Sequence, residues 1–241
     1  MPVKERLVHK MASSLLFTGL AEKECSQLYE LLRPVHKSYL QGETVINEGD
    51  LVEDIGLVCS GCLISVKIDK NGNQRVMQPR RQVQIVGLEV ATHPTRCCLM
   101  TVLSIGKAEV MFFPYRRFFD GSLPYELQSK IVLNMLSILS HIVEKQINKL
   151  EIISYRSLRS RIQAYLHTMA VRHGSTTFRI CMNREELASY LGVNRSALSH
   201  ELSKMRAEGL VDYHKNQFTV NDEPEIPPIP SYYPCPFAVR D

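Results

Sequence analysis

The chain has 241 residues and a mass of 27.5 kDa, enough for two domains with cores of their own, and 44% hydrophobic with 22% charged residues is ordinary folded composition. No apolar run approaches the roughly 18 residues a membrane span needs, and Met-Pro-Val-Lys-Glu-Arg is no signal peptide, so a cytoplasmic protein without a membrane partner is expected. The formal net charge is only +4, but residues 154–221 hold ten Lys/Arg against five Asp/Glu while 1–153 hold eighteen against sixteen, which fits a nucleic-acid-binding segment attached to a domain with another task.

Residues 12–33 carry helical periodicity through Leu15, Leu16, Leu20, Leu28, Leu31 and Leu32, and Pro34 stops it. From about 35 to 115 the pattern becomes short apolar runs broken by turn residues. Thr44-Val45-Ile46, Ile55 to Val58 and Leu63 to Ile68 are separated by Gly49-Asp50 and Gly61, and Asn71-Gly72 is a hairpin signal. Such spacing predicts an antiparallel barrel or double-sheet roll, closed by Pro114. Pro124 to Ile153 then holds no glycine and no further proline, with Leu127, Ile131, Met135, Ile138, Ile142 and Ile153 on an apolar stripe. A helix of about 45 Å follows. One face is expected to pack on the roll and the other to pair with a second copy. Asn134, Ser137, Ser140 and His141 are candidates to meet a ligand on it, the plainer alternative being a solvated helix face.

Ser154 to Met169 reads as another helix, with Leu158, Ile162, Tyr165 and Leu166 inward and Arg156, Arg159 and Arg161 outward, toward phosphates or water. Thr176 to Cys181 is a candidate strand. The most informative run is Met182 to Val220. Asn183 followed three residues later by Glu186 is a capping box, ahead of Leu187, Ala188 and Leu191 on one face. Gly192 marks a tight turn, and Asn194 can cap a second helix from Arg195 to Met205. Leu198, Leu202 and Met205 face inward at spacings of four and three, leaving Arg195, Ser196, Ser199, His200 and Lys204 outside. A short polar and cationic face of this kind suits a B-DNA major groove. After Gly209, two strands flank His214-Lys215-Asn216 as a wing. The tail after Asn221 holds half of the twelve prolines and cannot be regular helix.

On these residues the run resembles the winged helix-turn-helix of the cyclic-AMP receptor protein and fumarate-nitrate reductase regulator (CRP/FNR) family, in which Gly-Val-x-Arg-x-x-Leu-Ser opens the recognition helix. Many members carry Glu where this chain has Ser196 and Arg where it has His200, so a consensus operator is not implied. Leu-Phe-x-Gly-Leu at 16–20 and Glu48-Gly49-Asp50 resemble the same family's cyclic-nucleotide-binding roll. There the nucleotide phosphate is usually held by a Gly-Glu pair and an Arg-Ser that follows. Here the matching positions read Gly87-Leu88-Glu89 and Arg96-Cys97-Cys98, and the usual Gly-Asp turn reads Val83-Gln84. The resemblance therefore implies an effector site built from Gly87, Glu89, Arg96 and Cys97, with Asn134 and Ser137 from the long helix, whose contents have changed; cyclic AMP is not the favoured effector.

Seven cysteines, at 25, 59, 62, 97, 98, 181 and 235, are an odd number and do not read as a disulfide framework. Cys59-Ser60-Gly61-Cys62 has CxxC spacing, but no second CxxC exists, so no metal is expected and small residues in a β hairpin are the simpler reading. Of the N-terminal cysteine cluster of the family's oxygen-sensing branch only Cys25 remains, so an iron-sulfur cluster is not expected. His93 beside Cys97 and Cys98 raises haem, which is not expected either.

The fold expected is therefore α+β: an effector-sensing β roll over 1–121, a long dimerisation helix over 122–153, a winged helix-turn-helix over 154–221 and a proline-rich tail over 222–241. The function expected is a homodimeric regulator of transcription. It would bind double-stranded DNA at a palindromic operator whose half-sites lie about 34 Å apart, respond to a small molecule, and engage RNA polymerase if an activator. The alternative is a ligand-binding signalling module whose helix-turn-helix makes protein contacts. With no nucleophile elbow, P-loop or His-Glu-x-x-His, an enzyme is not expected.

Overall fold

The computed structural model describes residues 3–68, 74–81, 84–180 and 182–221, with the strand 74–81 described as backbone only. The Asn71-Gly72 turn, Val83, Cys181 and the proline-rich tail lie outside the described residues. The chain divides into two compact units, Met1–Ile142 and Val143–Asp241. No helix among the described residues is long and apolar enough to cross a membrane.

The first unit opens with α1 (Val3–Ala12), a single 3₁₀ turn (Leu15–Phe17) and α2 (Glu22–Leu32). The one helix predicted over 12–33 is thus broken. The Ser14 hydroxyl donates back to the Met11 carbonyl at 2.8 Å, and Gly19 takes φ 78°, a left-handed conformation that cannot continue a helix. Leu16 and Phe17 are drawn fully into the core by that break.

The roll comprises β1 (Val35–Tyr39), β2 (Thr44–Ile46), β3 (Asp54–Ile68), β4 (Gln74–Arg81), β5 (Ile85–Val86), the short α3 (Leu88–Ala91) and β6 (Thr101–Pro114). Its antiparallel sheet runs β1-β6-β3-β4, with β2 added on β6 and β5 on β3. The two long strands pair from Asp54 opposite Pro114 to Val66 opposite Thr101, with register shifts between Val58 and Cys62. The hairpin expected at Gly61 is therefore a bulge within one strand. Gly61 takes φ 79°, and a Cβ there would stand 2.3 Å from the Lys107 carbonyl, so only glycine permits this close crossing. Cys59 and Cys62 flank the bulge. Phe17, Phe113 and Phe118 pack through the core as tilted pairs at centroid distances of 5.5 and 6.2 Å.

The long helix is α4 (Tyr125–Ser154), 30 residues, whose Leu127, Ile131, Met135 and Ile138 are buried in the core of the first unit. Ile142 and Ile153, the rest of the predicted stripe, are half-buried.

The second unit contains α5 (Leu158–His173), β7 (Thr177–Arg179), α6 (Arg184–Tyr190), α7 (Arg195–Ala207), β8 (Val211–His214) and β9 (Gln217–Val220). Ser157 separates α5 from the preceding helix by accepting the Ser160 amide at 2.9 Å. The three strands form a sheet in the order β7-β9-β8, and Phe218 stacks on Phe178 across it. Ile162, Tyr165, Leu166, Leu187, Leu198 and Leu202 build the core beneath.

Candidate nucleic-acid interface and sensory cavity

The turn between α6 and α7 is closed by side-chain chemistry at both helix starts. Asn183 Oδ1 accepts the amides of Glu185 and Glu186, each at 2.9 Å, while Glu186 Oε2 accepts the Asn183 amide at 2.8 Å. Asn194 Oδ1 accepts the Ala197 amide at 2.7 Å. Between them Gly192 takes φ 72°, and Ala188, at 1% exposure, leaves room for the helices to cross. Leu198, Leu202 and Met205 are buried. Arg195, Ser196, His200 and Lys204 are exposed and Ser199 half-exposed, so all five predicted residues share the outer face of α7. The wing is the β8–β9 hairpin, His214 pairing with Gln217 so that only Lys215 and Asn216 form its tip.

Of the three arginines expected to face outward, Arg159 and Arg161 are engaged by other groups of the second unit. Arg159 is held at the surface by two carboxylates: Nε donates to Glu201 at 2.7 Å, and Nη1 and Nη2 donate to Glu208 at 2.6 and 2.9 Å. This fork holds the Glu208 carboxyl below its ordinary pKa. Arg161 donates to the carbonyls of Tyr155 and Leu191, bracing the turn from behind. Arg156 is exposed. In their place stands Arg184, which the sequence reading left out. Its guanidinium lies over the rings of Tyr213 and Phe218, and Nη2 donates to the Lys215 carbonyl at 3.3 Å. Burial lowers its pKa, yet it stays a cation at neutral pH. Arg206 also lies over Tyr213 and pairs with Asp212 at 2.8 Å. An arginine directly after a capping Asn and an aromatic in the wing strand were the available signals.

In the first unit a cavity of about 170 Å³ is lined by residues that include Gly87, Glu89 and Cys97 from the predicted effector set. The other three are elsewhere. Arg96 takes a left-handed φ of 49°, and its Nη1 pairs with Glu53 at 3.2 Å. Asn134 Nδ2 donates to the Leu16 and Thr18 carbonyls at 3.0 Å each, pinning the long helix to the broken N-terminal segment. Ser137 is exposed, and its carbonyl accepts from His141 Nδ1 at 2.9 Å. His93 lines the cavity, with the Thr95 N–H donating to its Nδ1 at 3.3 Å and the Thr95 hydroxyl 2.8 Å from the same atom.

Of the described cysteines, Cys25, Cys59 and Cys98 are buried thiols. Cys25 is fully buried and its thiol is pushed up to about 11, first by burial and then by Glu24 and Glu22, so it carries no thiolate at neutral pH. Burial likewise pushes Cys59 up to about 11 and raises Cys98. Among the described residues no three His, Cys, Asp or Glu side chains come together as a metal site.

On α4, Leu133, Leu136, Val143, Ile147 and Leu150 are 56% to 66% exposed. With Ser140 they recur at alternating steps of three and four, the periodicity of a helix-pairing seam. The stripe read from the sequence is thus the inward face, and this second stripe is the outward one.

Comparison with known proteins bears on both units. Residues 160–226 match the model of the Crp-like helix-turn-helix domain. The anaerobic regulatory protein of Haemophilus influenzae is 22% identical over 216 residues, covering 84% of this chain and 79% of that protein. The transcriptional activator protein anr of Pseudomonas aeruginosa is 21% identical over 227 residues, covering 90% and 88%. Among solved structures, the c-di-GMP responsive global regulator CLP of Xanthomonas campestris superposes with a TM-score of 0.64 at 16% identity, covering 82% of this chain and 98% of that one. A CooA mutant from Carboxydothermus hydrogenoformans gives 0.65 at 15%, covering 80% and 86%. The helix-turn-helix geometry, the roll and these similarities agree: residues 160–226 form a Crp-like helix-turn-helix domain, and the chain as a whole is similar in sequence and fold to transcription regulators of the CRP/FNR type.

Proposed function

We propose that this regulator binds a specific duplex DNA sequence through the outer face of α7 and is switched by a signal received at the roll. The observation that carries the reading is that face: four exposed polar or cationic side chains and one half-exposed serine, on a helix fixed at its N-terminus by Asn194 and braced by the Asn183–Glu186 box. Arg195, in the first turn, is the residue that reaches guanine O6 and N7, Ser196, Ser199 and His200 refine the site, and Lys204 meets phosphate. The outward stripe on α4 supports a homodimer, and a two-fold dimer reads a palindrome with half-sites about 34 Å apart. Contact with RNA polymerase follows if the protein activates. A ligand at the roll needs only a differential affinity for the DNA-competent state to act as the switch.

The test is fluorescence anisotropy of the purified protein on a labelled duplex from upstream of its own gene, with and without cyclic AMP, at two salt concentrations. Binding that weakens steeply with salt is expected, because phosphate contacts release counterions. Failure to find any duplex bound in a salt-dependent way, after a search of random-sequence operators, overturns the reading in favour of a module whose helix-turn-helix meets protein.

A further inference from the structure

We infer that the cavity in the roll receives a small, uncharged molecule of single-ring size and not a nucleotide. The inference rests on the reading of the roll as the sensory unit and names the class of molecule it senses. Size is the first argument. Pockets that take drug-sized ligands run from about 300 to 1,000 Å³, and this one is about 170 Å³. A cavity of about 150 Å³ lined by apolar side chains takes benzene. The size therefore matches one ring better than a base, a ribose and a phosphate together.

The second argument is the wall. Ile46, Val86, Val90, Leu99 and Val102 supply aliphatic surface, and Cys97, Cys98 and Met100 supply sulfur. Sulfur next to an aromatic edge is a favourable and adaptable contact. The floor cannot deepen, because Leu88 and Ala91 of α3 are buried in the core and a Cβ on Gly87 would already stand 3.3 Å from Asp54 O and Val52 Cγ1. The third argument is charge. Arg96, the residue matching the family's phosphate ligand, is turned to Glu53 and does not line the cavity, whereas Glu89, which does, offers no positive charge to a phosphate. A ring with one hydroxyl suits walls that, among the described residues, are mostly apolar with Ser65, Glu89, His93 and Thr95 as scattered polar positions, the Glu89 side chain able to accept from the hydroxyl.

Phenol is the probe. Cys97 lines the cavity and is half-exposed, so its alkylation by iodoacetamide, read at that peptide by mass spectrometry on the full-length protein, reports occupancy. Saturating phenol is expected to slow Cys97 alkylation by about tenfold or more, with cyclic AMP at the same concentration without effect, and calorimetry should give one site per chain. Val102→Phe, which fills the cavity from β6, should weaken phenol binding by more than tenfold; the protection experiment stands on the wild-type protein alone if that variant does not fold. Protection by cyclic AMP but not by phenol, protection by neither, or phenol binding that Val102→Phe leaves unchanged in a folded protein overturns the inference. Phenol that occupies the cavity yet leaves DNA affinity unchanged upholds the class of occupant and removes the sensory role of the roll instead.

Discussion

The guanidinium of Arg184, the first residue of α6, lies 4.9 Å from the ring centroid of Tyr213 in the wing. It thereby ties α6, the helix that precedes α7, to the hairpin that follows α7. The same guanidinium donates to the Lys215 carbonyl at the wing tip, where Lys215 takes φ 53° in the region that favours glycine. A half-buried cation on an aromatic face stabilises by about 1 kcal/mol, and lysine cannot reproduce the planar stacking together with the directed donor. Arg184→Lys is therefore expected to lower DNA affinity severalfold while charge is conserved, and to speed amide exchange in 211–220. Unchanged exchange in the wing would refute the tie.

The capping box carries a separate prediction. Asn183→Ala removes the acceptor of two amides, while the backbone amide that Glu186 Oε2 accepts is kept. Caps of this kind contribute about 1 kcal/mol, and for a domain of this size that is about 4–8 °C in Tm. Asn183→Asp keeps the acceptor and should lose little. Calorimetry of both variants decides it; equal Tm values for the Ala and Asp proteins would mean that the bonds contribute nothing.

A third prediction follows from Arg159 and Glu208. The fork of hydrogen bonds lowers the Glu208 pKa in the folded state. A carboxyl whose folded pKa lies below its unfolded value contributes stability that is complete above the unfolded value of about 4.3 and is lost as pH falls toward the folded one. The melting temperature of the second unit should then fall more steeply below about pH 4.3 in the wild type than in Glu208→Gln. Parallel acid profiles for the two proteins would dissociate this ion pair from acid sensitivity.

Legibility in the sequence followed the range of the interactions. The helix-turn-helix was readable residue by residue because its determinants are local: Asn183 and Glu186 are three apart, Asn194 and Ala197 are three apart, and the buried Leu198, Leu202 and Met205 follow the helical period. The roll was readable as a class, from glycines and short apolar runs, but Gly61 looked the same as a hairpin glycine. What makes it a bulge is the Lys107 carbonyl, 46 positions away in β6. Arg159 could not be assigned for the same reason, since its partners Glu201 and Glu208 lie 42 and 49 residues on. On α4, periodicity revealed one apolar face, while a mixed pattern of Leu, Ile, Val and Ser hid the second until burial separated them. Arg96 sat at the address the family resemblance gave, and only Glu53 shows where its charge goes.

That second face gives the fourth prediction. Leu136, Val143, Ile147 and Leu150 are more than half exposed on one outward seam, and burying each against a copy stabilises by about 1.5–3 kcal/mol. Ile147→Glu with Leu150→Glu should therefore convert a dimer to a monomer in sedimentation equilibrium, with far-UV dichroism unchanged, and should weaken binding to a two-half-site duplex far more than to a single half-site. A double variant that remains a dimer would place the pairing surface elsewhere.

The recognition face separates reading from gripping. Arg195→Ala should cost about 1–3 kcal/mol at one base position and relax specificity there, whereas Lys204→Ala should weaken binding to all sequences alike and reduce the salt slope by about one. His200 adds a contact of its own. It is exposed on the same face of α7, where a ring nitrogen can meet a phosphate or a base edge. His200→Ala should accordingly lower affinity for the specific duplex by about 1–3 kcal/mol and change binding to unrelated duplexes little. The comparison is made at constant ionic strength, because a screened phosphate contact would mimic the loss. Equal affinities of the two proteins for the specific duplex would remove His200 from the interface and leave Arg195, Ser196 and Ser199 as the reading set.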